Sequence, residues 1–228
     1  MLRPLARRFY ARPPEVVARA LLGRLLVREA REGRRVGRIV EVEAYGGNRD
    51  PASHAYRGPT PRNRTMFGRP GSAYIYVSYG IHHCLNVVTG VAGKPSAVLI
   101  RAFEPIAGLP LMEQGGQGTG RRRDPGPVRD PLHLARGPGL VTRALGLTLE
   151  HDGVDLTCGL LWLSAAAPPR GVRIACGPRI GIRRAVSRRW RFYFPGHPSV
   201  SGPRSSSGRR RGAGREGASG MGRGSARR

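Results

Sequence analysis

Cysteine, lysine, acidic residues and long apolar runs are all scarce in this 228-residue chain, and each scarcity removes a class of protein. The three cysteines, Cys84, Cys158 and Cys176, are far apart, odd in number and form no CxxC pair. That pattern argues against a disulfide framework and a zinc knuckle, and it reads as buried thiols in a reducing compartment. No stretch approaches the ~20 consecutive apolar residues that cross a bilayer, so no membrane partner is expected. Lys94 is the one lysine, which leaves amine chemistry almost no candidate besides the N-terminus. Acidic residues number 14 against 40 basic ones, a formal net charge of +26. A GC-rich coding bias accounts for arginine in place of lysine but not for the excess over acids, so the expected partner is a polyanion. Residues 1–12 are arginine-rich and acid-free but lack the serines of a transit peptide, and they are taken as part of the domain.

What is present reads as one domain over residues 1–200 and a tail over 201–228. Pro13, Pro14 and Glu15 followed by Val17, Ala18, Leu21, Leu22 and Leu25 predict a helix with prolines at its start and one apolar stripe. From Arg38 the period changes to two, so Glu41, Glu43 and Tyr45 share one face of a strand. Residues 46–71 form a polar connection too long for a simple turn. Residues 73–77 and 84–88 are two β-rich runs that predict a hairpin with Tyr79 near its tip. A third apolar run over 97–103 is interrupted by Arg101. Residues 140–147 suggest a short helix, and 160–163 and 190–194 two strands. Residues 113–137 are rich in Gly, Pro and Arg and read as an insertion. The tail holds eight arginines and one glutamate without apolar periodicity, and disorder is expected of it.

The blocks Glu41-Val42-Glu43-Ala44-Tyr45, Ser53-His54-Ala55, Thr60-Pro61-Arg62-Asn63, Tyr74-Ile75-Tyr76, Tyr79-Gly80, Cys84-Leu85-Asn86 and Arg101-Ala102-Phe103-Glu104-Pro105 occur in a fixed order. With Leu21-Leu22-Gly23 upstream, and Gly137-Pro138-Gly139, Ala144-Leu145-Gly146 and Arg179-Ile180-Gly181 downstream, this order and spacing resemble those of the alkyladenine (3-methyladenine) DNA glycosylases over most of residues 8–200. Several long blocks in register are far more specific than a lone short motif. Pattern and resemblance together imply an α+β fold: a single domain with a curved, mainly antiparallel sheet, a protruding hairpin and flanking helices.

The resemblance implies that Glu43 activates water, that Arg101 orients that water and reaches the backbone of the flipped nucleotide, and that Tyr45, His54, Tyr76 and Asn86 form the base pocket. It makes Tyr79 the intercalating wedge and lets Arg62, Asn63 and Arg64 hold phosphates. Each residue has a plainer reading. Glu43 could be a salt-bridge partner, with Glu41 a rival for its place. Arg101 could sit in a structural pair with Glu104 or Glu41, and Asn63 could cap a solvated loop. The expected substrate is double-stranded DNA containing damaged purines, acted on by a monomer without metal or cofactor, in the cytoplasm if the source is bacterial. Two other classes compete: a non-catalytic arginine-rich nucleic-acid-binding protein, and a domain sharing this fold without glycosylase activity, such as the formyltransferase C-terminal domain.

Overall fold

The computed structural model describes residues 2–115, 130–166 and 171–202. Its centre is β2 (Gly33–Tyr45), a strand long enough to hold different neighbours along its length. On one edge it pairs throughout with β5 (Ala97–Ala107). On the other it pairs first with β1 (Leu25–Ala30) and then with β8 (Arg191–Tyr193). The hairpin of β3 (Ala73–Ser78) and β4 (His82–Val88) extends the sheet beyond β5, β6 (Leu161–Leu163) extends it beyond β1, and β7 (Ala175–Gly177) pairs with β8. All pairings are antiparallel and the sheet curls into a half-barrel, a single compact α+β domain with few helices.

Among the described residues four short helices flank the sheet: α1 (Arg7–Tyr10), α2 (Pro14–Leu21), α3 (Leu109–Gln114) and α4 (Pro138–Leu145). In α2 the buried residues Val17, Ala18 and Leu21 turn one stripe toward β2. The helix ends at Leu21, earlier than the apolar spacing suggests, because Gly23 takes φ +79 and Leu25 already starts β1. The β1–β2 hairpin is therefore a feature that the stripe concealed. α4 packs on β4 and β5 with Val141, Ala144 and Leu145 buried, and it ends on Gly146 in the left-handed region. Of the three cysteines only Cys84 is buried, and Cys158 is exposed.

Three register shifts interrupt the β2–β5 ladder: Ile106 and Arg101 are extra residues on β5, and Val40 is the extra residue on β2. The shift at Val40 lets Ile39 and Val40 both enter the main core, which also holds Val42, Ala44, Ile100 and Phe103. Arg101 shares its face of β5 with Ala97 and Leu99, opposite Val98 and Ile100, and there it meets Glu41 and Glu43. Residues 46–71 cross the sheet end in two 3-10 turns, Gly47–Arg49 and Arg64–Phe67. The ends of the 113–137 segment are ordered, as the last turn of α3 and as a 3-10 turn over Pro131–His133, while 116–129 lie outside the described residues. The body extends to Gly202: the Ser201 N–H donates to Glu41, and the Gly202 carbonyl accepts from Arg136. The rest of the tail, 203–228, lies outside the described residues.

Gly47 is where the connection presses against the sheet: at φ +62, a Cβ there would lie 1.7 Å from the Pro95 carbonyl oxygen. Gly58 at φ +97 has nothing within 4 Å. Gly47→Ala should therefore cost about 3 kcal/mol or more of unfolding free energy and Gly58→Ala about 1. Urea titration of both variants checks this, and equal losses would contradict the close approach.

Candidate active site

Glu41 and Glu43 lie roughly 7 Å apart on one strand face, and both are fully buried. Taking a carboxylate out of water costs several kcal/mol unless its oxygens are matched, and each is matched by parts of the fold distant in sequence. Glu41 receives Arg101 Nε at 3.1 Å, Arg191 Nε at 2.6 Å and the Ser201 N–H at 2.6 Å. Glu43 receives the Ile180 N–H at 2.7 Å, the Tyr45 hydroxyl at 2.8 Å and Arg101 Nη1 at 3.3 Å. The two differ in where their partners stand. All three partners of Glu43 line one cleft, whereas Arg191 and Ser201 lie outside its lining. A carboxylate has about four lone-pair sites, so three donors leave Glu43 one; its own side chain is fully buried and stands behind the cleft lining, not in it.

Arg101 joins the two acids and donates through Nη2 to the Ser201 hydroxyl at 3.2 Å. Burial pulls its pKa down, but the Glu43 and Glu41 carboxylates overcome this and leave it raised. Glu104, the other candidate partner, pairs instead with Arg38 and His197.

The cleft has a volume of about 820 Å³, within the size range of small-molecule pockets. Tyr45, His54, Tyr76, Asn86, Arg62, Tyr79 and Arg101 all line it. His54 meets Tyr76 edge-on, with ring centroids 4.4 Å apart, and its Nδ1 lies 3.2 Å from the Tyr74 hydroxyl. Burial first and the Arg62 charge second lower the His54 pKa, which keeps the ring neutral at physiological pH. Burial and then Glu43 raise the Tyr45 pKa, so its phenol stays a donor to the carboxylate. The Asn86 amide is fixed by backbone carbonyls of its own hairpin, those of Tyr74 at 3.1 Å and Cys84 at 3.4 Å.

At the hairpin tip the Ile81 N–H bonds to the Ser78 carbonyl at 3.1 Å, and Tyr79 and Gly80 both take positive φ, the signature of a tight hairpin turn. Tyr79 is 89% exposed at φ +51. A large aromatic held in water in a disfavoured backbone conformation is costly for folding.

Residues 62–64 divide. The Arg62 guanidinium, 5.4 Å from the Tyr76 ring centroid, donates to the Val77 carbonyl at the cleft, and Arg64 is exposed. Asn63 is 2% exposed, and its amide is spent on the loop: Oδ1 accepts from Thr60 N–H, while Nδ2 donates to the His54 and Gly58 carbonyls. No amide proton remains for a phosphate, and the side chain neither caps a helix nor meets solvent. Among the described residues no group of three or more His, Cys, Asp or Glu is placed to hold a metal ion.

Sequence reasoning missed Asp50, Arg183 and Arg184, and it named Tyr74 and Arg179 only within blocks. Arg183 and Arg184 line the cleft. Asp50 and Arg179 form a fully buried pair, with Nη2 2.8 Å from Oδ1, and Arg179 also donates to the Ala44 carbonyl at 2.9 Å. Burial alone would raise the Asp50 pKa, but hydrogen bonds from Arg179 and the Gly46 N–H lower it. A depressed carboxyl stabilises the fold above its unfolded pKa and loses that contribution as pH falls. Asp50→Asn should thus cost about 3–5 kcal/mol at neutral pH by stranding a buried guanidinium, and the gap to wild type should narrow below about pH 4. Thermal melts across pH check this, and a gap that does not change with pH would contradict it.

The profile of the methylpurine-DNA glycosylase family matches residues 8–198. A protein of Anaeromyxobacter dehalogenans strain 2CP-1 is 47% identical over 203 residues, covering 87% of this chain and 86% of its own. One of Frankia casuarinae is 47% identical over 207 residues, covering 86% and 91%. One of the methanogen Methanoculleus marisnigri is 47% identical over 196 residues, covering 85% and 96%. All three carry the name 3-methyladenine DNA glycosylase. A match over this much of the chain, around a cleft lined by the aromatic and arginine side chains just described, settles its membership: the chain belongs to the methylpurine-DNA glycosylase family.

Proposed function

We propose that the chain hydrolyses the N-glycosidic bond of damaged purines in double-stranded DNA, 3-methyladenine and 7-methylguanine foremost, with hypoxanthine and ethenoadenine as further substrates, and leaves an abasic site for base excision repair. One observation carries the reading: a buried carboxylate, Glu43, whose three partners all line an aromatic cleft beside an exposed tyrosine wedge. A base cannot be cut while stacked, and glycosylases are among the enzymes known to extrude it. Tyr79 would fill the gap in the duplex, and the flipped purine would stack among Tyr45, His54 and Tyr76. Asn86 would confront the 2-amino group of guanine, and Arg62 and Arg64 would hold phosphates without reading sequence.

In the chemical step Glu43 takes a proton from water while the water oxygen bonds to C1′ opposite the base, and the C1′–N9 electron pair leaves with the purine. Arg101 orients that water. Alkylation at N3 or N7 makes the purine cationic and the departure easy, so one general base suffices, a contribution of about 10²–10⁴ in rate, in place of the paired carboxylates of most glycosidases. A coupled lyase step needs an amine for a Schiff base. Lys94 is exposed and lies outside the cleft lining, so the reaction ends at the abasic site.

The test is incubation with methylated duplex DNA and mass spectrometry of the small-molecule fraction. Free methylpurine together with intact, alkali-labile strands is expected, and excess EDTA should leave the rate unchanged. A protein that binds the duplex and releases nothing would be a binding module. Tyr79→Ala should slow excision from duplex more than from single strands, because only a duplex leaves a gap to fill. Equal slowing on both substrates would point to a packing role for the ring.

A further inference from the structure

The residue behind Tyr45 is a guanidinium. Tyr45 lines the cleft and Arg179 does not; Arg179 is fully buried, with Cζ 4.7 Å from the Tyr45 ring centroid. It also lies 5.6 Å from the Trp190 ring, over which Arg188 sits at 4.8 Å, so that pocket wall is the first layer of an aromatic–guanidinium stack. An aromatic face attracts a cation through the negative charge of its π cloud. A guanidinium already against one face draws on that charge and stands roughly 8 Å from anything stacked at van der Waals distance on the other. Asp50 answers part of this charge, but it is the guanidinium that lies over the ring.

The cleft lining includes Arg62, Arg101, Arg183 and Arg184 and no carboxylate among the described residues. The nearest anion is Glu43, which accepts from the Tyr45 hydroxyl at 2.8 Å at the ring edge and is paired with Arg101 at 3.3 Å, so the face of the ring is left to Arg179. DNA phosphates can neutralise the arginines that line the cleft but cannot reach Arg179, which is sealed from solvent. Aromatic walls alone would attract a cationic base, and the charge of Arg179 opposes that attraction.

We propose that Arg179, held by Asp50 behind Tyr45, makes the base pocket a charge filter that binds an uncharged purine more tightly than a cationic one of the same shape. The proposal rests on the base pocket assigned above. Cationic lesions are then excised because their glycosidic bond breaks readily and not because the pocket holds them. Arg179 acts through Tyr45 and is a positioning residue for specificity.

The test uses the wild-type chain and two duplexes that differ only in charge: one with 7-methylguanine, the other with its neutral carbon isostere 7-deaza-7-methylguanine, both on 2′-fluorinated sugars that resist hydrolysis. Fluorescence anisotropy at mildly acidic pH, where 7-methylguanine remains a cation, should give about threefold or more tighter binding of the neutral duplex. The double variant Arg179→Met/Asp50→Asn, which removes the charge without stranding its partner, should bring the ratio close to one. Should that variant fail to fold, Arg179→Leu/Asp50→Leu, which replaces the buried ion pair by apolar side chains, removes the same charge and should likewise abolish the preference. Equal or tighter binding of the cation by wild type overturns the proposal, as does a preference that survives in a folded variant. Binding of neither duplex above undamaged DNA would overturn the base-pocket reading itself.

Discussion

Three carboxylates removed entirely from water, Glu41, Glu43 and Asp50, set the terms for the rest of the molecule. Each would be prohibitive alone. The fold holds them by bringing a guanidinium to each from a distant part of the chain: Arg101 to Glu41 and Glu43, Arg191 to Glu41, and Arg179 to Asp50. That requirement explains features that otherwise look arbitrary. Alternation along β5 sets Arg101 against Glu41 and Glu43. Strand β8 returns to β2 where Arg191 is needed, and Ser201 gives its N–H to Glu41. Core packing and active-site electrostatics are here one problem, solved along one strand.

The same pairing separates the two glutamates chemically. Two of the three partners of Glu41, Arg191 and Ser201, lie outside the cleft lining, whereas every partner of Glu43 belongs to it. In a chain of charge +26 a buried carboxylate stands among many arginines, and Glu43 is not captured by one alone. Sharing Arg101 with Glu41 and drawing its remaining bonds from a neutral phenol and a backbone N–H leave Glu43 held on several sides yet able to accept from a water.

Much of this was legible in the sequence because the blocks are local. The period-two run placed Glu41, Glu43 and Tyr45 on one face, and the turn residues after Ser78 placed Tyr79 at a hairpin tip, where it is found. What was not legible depends on pairing across distance. Asp50 and Arg179 are 129 positions apart, and nothing local marks either as the other's partner. β1 was hidden because Leu22 and Leu25 continue a helical spacing that Gly23 ends. Asn63 shared its block with two arginines, and only its burial shows that the amide serves the loop.

The most direct test compares Glu43→Gln with Glu41→Gln, both verified as folded, in single-turnover excision of one lesion from one duplex. Glu43→Gln should lose about 10²–10⁴ in rate while still binding an abasic-site analogue, and Glu41→Gln should lose less. A Glu43→Gln protein that turns over near the wild-type rate, or a greater loss from Glu41→Gln, would contradict the assignment of the base.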